Sequence, residues 1–161
     1  MQFQMGEKVV HPVYGVGTIT TLSKQQFFGE KAYEYYQVVI GTATIWVPIN
    51  DQGSTVLRKI APKESLNECR RVLKSHPVAL NQDRKKRELE LAHLLKDKLP
   101  PALCETVSAL RARSKQKTLG ITENNLLKKT LQALGGEWAA SDGVTVQTAL
   151  GEIESLLQEA G

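Results

Sequence analysis

The residues best placed to do chemistry lie in the stretch HPVYGVGTI, residues 11–19, where Gly15 and Gly17 stand one residue apart beside an imidazole and a phenol. A phosphate-cradling loop would need a third glycine and a helix directly after it, because the helix amino end holds the anion. Here the third glycine is missing and TITTLS continues as a strand, so the pair is expected to shape a bulged hairpin turn. His11, His76 and His93 are scattered, with no cysteine or carboxylate at metal-ligand spacing. Cys69 and Cys104 sit in amphipathic helical patterns and are expected as buried, reduced thiols. Ser65, Ser75 and Ser108 lack the sharp glycine-flanked elbow of a nucleophile. A ligand groove near Tyr14 would have no acid, base and nucleophile set to use. The expectation is a protein that is not an enzyme, with no cofactor, no metal and no small-molecule substrate.

The elements that carry these residues fall into two periods. Up to residue 60, EKVVHP, VGTITTLS, KAYEYYQVVI and TATIWVPI are rich in β-branched and aromatic residues, with FGEK and IGTAT as hairpin turns. Short strands with close turns suit a small, strongly bent antiparallel barrel, since closure removes exposed edges. Trp46 lies between Ile45 and Val47, whose side chains must point the other way, so one of the two faces meets solvent or a partner. Trp138 is expected in a core.

From Pro62 the spacing becomes helical. Leu66, Cys69, Val72 and Leu73 share one face of a first helix. A second is expected over about residues 81–95 with Leu89, Ala92 and His93 inward, and a third after KLPPAL with Leu103, Val107 and Leu110 inward. The fourth should begin near Thr122 and end or loosen at Gly135-Gly136. The last should bury Leu150, Ile153, Leu156 and Leu157. The fold class is therefore α+β in two domains, a β domain over residues 1–60 and an all-α bundle over residues 61–161.

A chain of 161 residues can bury such cores without staples. It has no apolar run of bilayer length and no signal-peptide pattern, which points to the cytoplasm and away from a membrane. The net charge of +4 is unevenly placed. Residues 84–117 carry ten lysines and arginines against four acids, while after Thr130 there are acids and no bases. Such a distribution is expected to give a basic face suited to phosphates and an acidic tail.

With these features in hand, FQMGEKVVHPVYGVGTITTL, YYQVVI, WVPIND and VLRKI resemble the polymerase-interacting module of the CarD/CdnL family of bacterial transcription regulators, a module shared with the transcription-repair coupling factor. The helical half is similar in length, in charge and in LGITENNLLKKTLQAL. The resemblance implies a Tudor-like or SH3-like barrel that docks on the β subunit of RNA polymerase by strand addition, followed by a helical domain at promoter DNA. Carried over position by position, it makes Gln25, Phe27, Trp46, Val47 and Pro48 the polymerase-binding residues, with Gln25 where relatives have arginine. Gln82, Arg84, Lys85 and Arg87 become the DNA-binding residues, with Gln82 in place of a tryptophan that wedges into the minor groove. An amide cannot supply that wedge, and Leu80 is the nearest apolar substitute. The expected function is a regulator that contacts promoter DNA near the upstream edge of the bubble and modulates open-complex stability. Its DNA contact should be weak and largely sequence-independent, effective through tethering. The alternative is a module that binds polymerase or another partner without touching DNA.

Overall fold

A computed structural model describes residues 3–25 and 33–160. The chain divides into two compact units, Met1–Ile60 and Ala61–Gly161.

The first unit is an antiparallel sheet of β1 (Lys8–His11), β2 (Gly15–Gln25), β3 (Tyr33–Ile40), β4 (Ala43–Ile49) and β5 (Arg58–Lys59), in the order β4-β3-β2-β1-β5. Its inner face buries Phe3, Val9, Ile19, Tyr36, Val38, Val47, Ile49 and Leu57. The Tyr36 ring meets Phe3 edge to face at 5.6 Å, and its hydroxyl accepts the Phe3 amide, so the phenol is satisfied within the core. A register shift between Ile19 and Thr21 adds the expected bulge, though in the middle of β2 rather than at Gly15-Gly17. Gly17 has a different use. A Cβ there would stand 2.6 Å from side-chain atoms of Ile40 and Val38, so glycine lets β2 lie close beneath β3.

The expected barrel is not closed. β4 and β5 are the two ends of the sheet, and among the described residues nothing pairs them. β5 has only two residues, both matched to β1, which leaves no length to reach β4. The FGEK turn and Phe27 lie outside the described residues.

The second unit contains α1 (Lys63–Lys74), α2 (Arg84–Leu94), α3 (Pro100–Gln116), α4 (Ile121–Asp142) and α5 (Val146–Glu159). Leu66, Cys69, Leu73, Leu103, Val107, Leu110, Leu134, Trp138 and Ile153 form its core. Two expectations fail here for identifiable reasons. Helix α4 runs straight through Gly135-Gly136 and stops only at Gly143, which takes the left-handed conformation at φ 72°. Gly135 is a packing device, since a Cβ would meet Leu150 Cδ2 of α5 at 2.7 Å. Helix α2 is rotated from the expected phase. Arg87 and Leu91 face inward, while Leu89, Ala92 and His93 are exposed.

The acids of the carboxyl-terminal stretch do not form a separate tail. Arg70 pairs with Glu152 and Asp142 and lies over the Trp138 ring at 5.3 Å, while Arg111 pairs with Glu154. Glu137, buried in α4, accepts the Ala61 amide at 2.8 Å, and Ser141 donates to the Ala61 carbonyl at 2.7 Å. Four of the five acids after Thr130 are thus engaged within the helical unit, one of them with a cation of residues 84–117. Among the described residues no helix is long and apolar enough to cross a membrane.

Candidate functional site

Strand β4 is the first candidate surface. It joins β3 through Gly41-Thr42, with Ile40 paired to Ala43. Gly41 has φ 61° and Thr42 a negative φ, the pattern of a type II′ hairpin turn. Such a turn directs the Ala43 amide back to the Ile40 carbonyl. Because antiparallel hydrogen bonding alternates, Ile45, Val47 and Ile49 also bond toward β3, and Thr44, Trp46 and Pro48 turn their backbone groups to the open edge. The position of Pro48 agrees, since an edge proline must lie where its missing N–H faces away from the sheet. The open edge therefore offers the amides and carbonyls of Thr44 and Trp46, and the Pro48 carbonyl.

Side chains divide the same way. Val47 is buried at 2% exposure, so it is a core residue that fixes the strand and not a contact, whereas Trp46 is 53% exposed. Trp46 stands opposite Gln37, which stands opposite Thr21 and accepts its hydroxyl proton at 2.6 Å. Pro48 stands opposite Tyr35, so indole, phenol and proline ring share the outer face beside the open edge. Asn50 holds the end of the strand, its Oδ1 accepting from the Gln52 and Ser54 amides. Gln25 is the last residue of β2, paired with Tyr33.

The glycine stretch is a turn, and His11 organises it. Nδ1 accepts the amides of Val13 at 3.0 Å and Tyr14 at 3.2 Å, and the imidazole lies against the Tyr14 ring. Partial burial holds the imidazole pKa below its ordinary value, consistent with a neutral acceptor.

The second surface is the start of α2. Asp83 caps it, its carboxylate accepting the Lys86 amide at 3.1 Å. No acid occupies the first turn, and Arg84, Lys85 and Lys86 crowd there against the helix dipole, an arrangement that costs stability in an isolated helix. All three are exposed; Arg84 pairs with Glu88 one turn on, and among the described residues Lys85 and Lys86 form no ion pair. Gln82 is exposed just before them, and Leu80 is half-buried against the helical core.

Arg87 is different in kind. It is 7% exposed, its Nε donates to Glu123 at 2.7 Å, and its Nη1 donates to the Asn81 and Gln82 carbonyls, both at 3.0 Å. Glu123 also pairs with Arg113 at 3.5 Å. The Arg87–Glu123–Arg113 set ties α2, α3 and α4 together and fixes the loop that carries Gln82. Arg87 therefore positions the DNA-binding candidates and is not available to a phosphate. Sequence reasoning misses Glu123 and Arg113 as site residues; the spacing of Arg87 and Leu91, four apart on one face, is the signal that could find them.

Nucleophile chemistry finds no support in the cysteines. A hydrogen bond with Cys69 and burial push the Cys104 thiol far up, which keeps it protonated. Among the described residues no group of three His, Cys, Asp or Glu side chains could hold a metal ion.

Comparison with known families completes the description of the sheet unit. Residues 3–61 match the family model for the CarD-like/TRCF RID domain, spanning the whole sheet from Phe3 through β5 and stopping just before α1. The first unit, which carries the β4 edge and the Trp46 face at one end of the sheet, is thus a CarD-like/TRCF RID domain by its match over residues 3–61.

Proposed function

We propose that this protein is a non-catalytic transcription regulator. Its sheet unit docks on the β subunit of RNA polymerase, and its helical unit brings the cations of α2 to promoter DNA near the upstream edge of the bubble, changing open-complex stability. The observation that carries the docking is the open β4 edge of a CarD-like/TRCF RID domain, with an exposed tryptophan on the same strand. A partner strand laid along β4 would gain main-chain hydrogen bonds from Thr44, Trp46 and Pro48, while Trp46 covers its side chains. Such a device ends an otherwise exposed edge, which soluble proteins seldom leave uncovered.

The DNA contact rests on exposed Arg84, Lys85 and Lys86. Phosphate contacts of this kind set position and salt dependence but not sequence preference. Docking on polymerase supplies the high effective concentration that a contact of this size needs.

Two proline substitutions in the full chain test the docking geometry. Thr44→Pro removes one outward amide and no intra-sheet bond, so binding to the isolated β-subunit lobe should weaken by roughly 2- to 10-fold, at about 1 kcal/mol per hydrogen bond, with little change in melting. Ile45→Pro removes a bond to β3 and should destabilise the sheet itself. Trp46→Ala should lower affinity about 30-fold, as a hot-spot aromatic does. Unaltered binding by both Thr44→Pro and Trp46→Ala would refute docking at this edge.

A further inference from the structure

The side of α2 opposite Arg87 and Leu91 holds an apolar residue that nothing among the described residues covers. Leu89 is 72% exposed, although it lies only two residues from Leu91, which is buried at 5%. Lys85 and Lys86 precede it by four and three residues and His93 follows by four, so all four project from one face of the helix, and all are exposed. The two nearest acids are otherwise engaged, Glu88 with Arg84 and Glu90 with the Asn81 amide. The face is thus an exposed leucine with two lysines one turn before it and a histidine one turn after, and Gln82 lies two turns before the leucine.

From this placement we infer that Leu89 is the apolar contact of the DNA-binding face, entering the minor groove while Lys85 and Lys86 hold the flanking phosphates. The inference rests on the proposal that the helical unit meets DNA. The charge of the face selects the occupant, because an exposed leucine with two lysines, unpaired among the described residues, one turn before it complements a polyanion with an apolar floor between its phosphates. A minor groove at a weakened base step is such a surface, and leucine is among the side chains that wedge there. One leucine is too little apolar surface to anchor a helix on a membrane. Neither Gln82, an amide, nor Leu80, packed against the core, can supply that contact.

The test uses the full chain and a promoter-like duplex with a short unpaired bubble, labelled with 2-aminopurine at the upstream junction and titrated by anisotropy over a salt series. Leu89→Ala should bind roughly 3- to 10-fold more weakly with the salt slope unchanged, and the rise in 2-aminopurine emission caused by unstacking should disappear. The double variant Lys85→Ala/Lys86→Ala should lower the slope of log affinity against log salt by about 1.8, since each phosphate contact contributes about 0.9. At saturation it should retain the emission rise. Leu89→Trp should strengthen both signals. If Leu89→Ala matches the wild type in affinity and emission while the lysine variant loses salt dependence, the assignment of Leu89 is overturned and the DNA proposal stands. If the wild type fails to bind the bubble at low salt while still capturing the polymerase β lobe, the DNA proposal fails and takes this one with it. Binding of the wild type to anionic phospholipid vesicles, with none to DNA, would likewise overturn it.

Discussion

Replacing Arg87 by alanine separates a structural cation from one proposed to bind DNA. Arg87 and Glu123 side chains are 8% and 13% exposed and meet at 2.7 Å, so truncation leaves a buried carboxylate short of a partner. Breaking such a pair from one side costs about 3–5 kcal/mol. Glu123 keeps Arg113 at 3.5 Å, which puts the loss at the lower end, near 3 kcal/mol. The Asn81 and Gln82 carbonyls lose a donor as well, but both residues are exposed and water replaces it at small cost. Urea unfolding should therefore show a loss of about 3 kcal/mol, equivalent to a melting shift of about 6–12 °C in a protein of this size. Arg84→Ala, whose pair with Glu88 is 77% and 55% exposed, should stay within about 0.5 kcal/mol. The salt slope of DNA binding reverses the order. It should fall by about 0.9 for Arg84→Ala and stay unchanged for Arg87→Ala at a temperature where the variant is folded. An Arg87→Ala variant that loses under about 1 kcal/mol of stability and also loses salt slope would refute the structural role of Arg87.

Two helix glycines should respond to alanine with opposite signs. A Cβ at Gly151 in α5 would meet nothing within 4 Å, so Gly151→Ala should stabilise by about 0.8–1 kcal/mol through helix propensity alone. Gly135→Ala gains the same propensity but drives a methyl to 2.7 Å from Leu150 Cδ2 and 3.1 Å from its Cγ, an overpacking that should leave a net loss of about 1 kcal/mol. Equal stabilisation by both in thermal melts would show that α4 and α5 are not closely packed at this point. At the His11 turn the effect is one of pH. The folded imidazole has a lowered pKa because of burial, so its contribution is complete above the unfolded value of about 6.5 and is lost as pH falls through the folded value. The stability gap between wild type and His11→Ala should be narrower near about pH 5 than near about pH 8, and a gap that widens in acid would contradict the acceptor role of Nδ1.

How much of the fold is legible in the sequence depends on whether the deciding contact is local. The strands are legible, because a period of two is written into YEYYQVVI and ATIWVPI; that period sets Trp46 and Val47 on opposite faces but leaves open which is outward, and the fold decides it by burying Val47. The continuity of α4 through Gly135-Gly136 is not, because local propensity opposes glycine in a helix while the reason for it is Leu150, fifteen residues on. Barrel closure fails on a similar count, since it depends on pairing between the first unit's end strands and β5 is only two residues long.

The phase of α2 shows the same limit where it bears on function. Hydropathy alone places Leu89 inward and Arg87 outward; the structure reverses them because Glu123, thirty-six residues away, makes a buried site for a guanidinium. That one ion pair removes a cation from the surface and, by fixing the rotation of the helix, puts a leucine between Lys85 and His93 in its place. The face proposed to meet DNA, which has Gln82 where the resemblance implies a tryptophan, thereby gains an exposed apolar side chain two turns further along the helix.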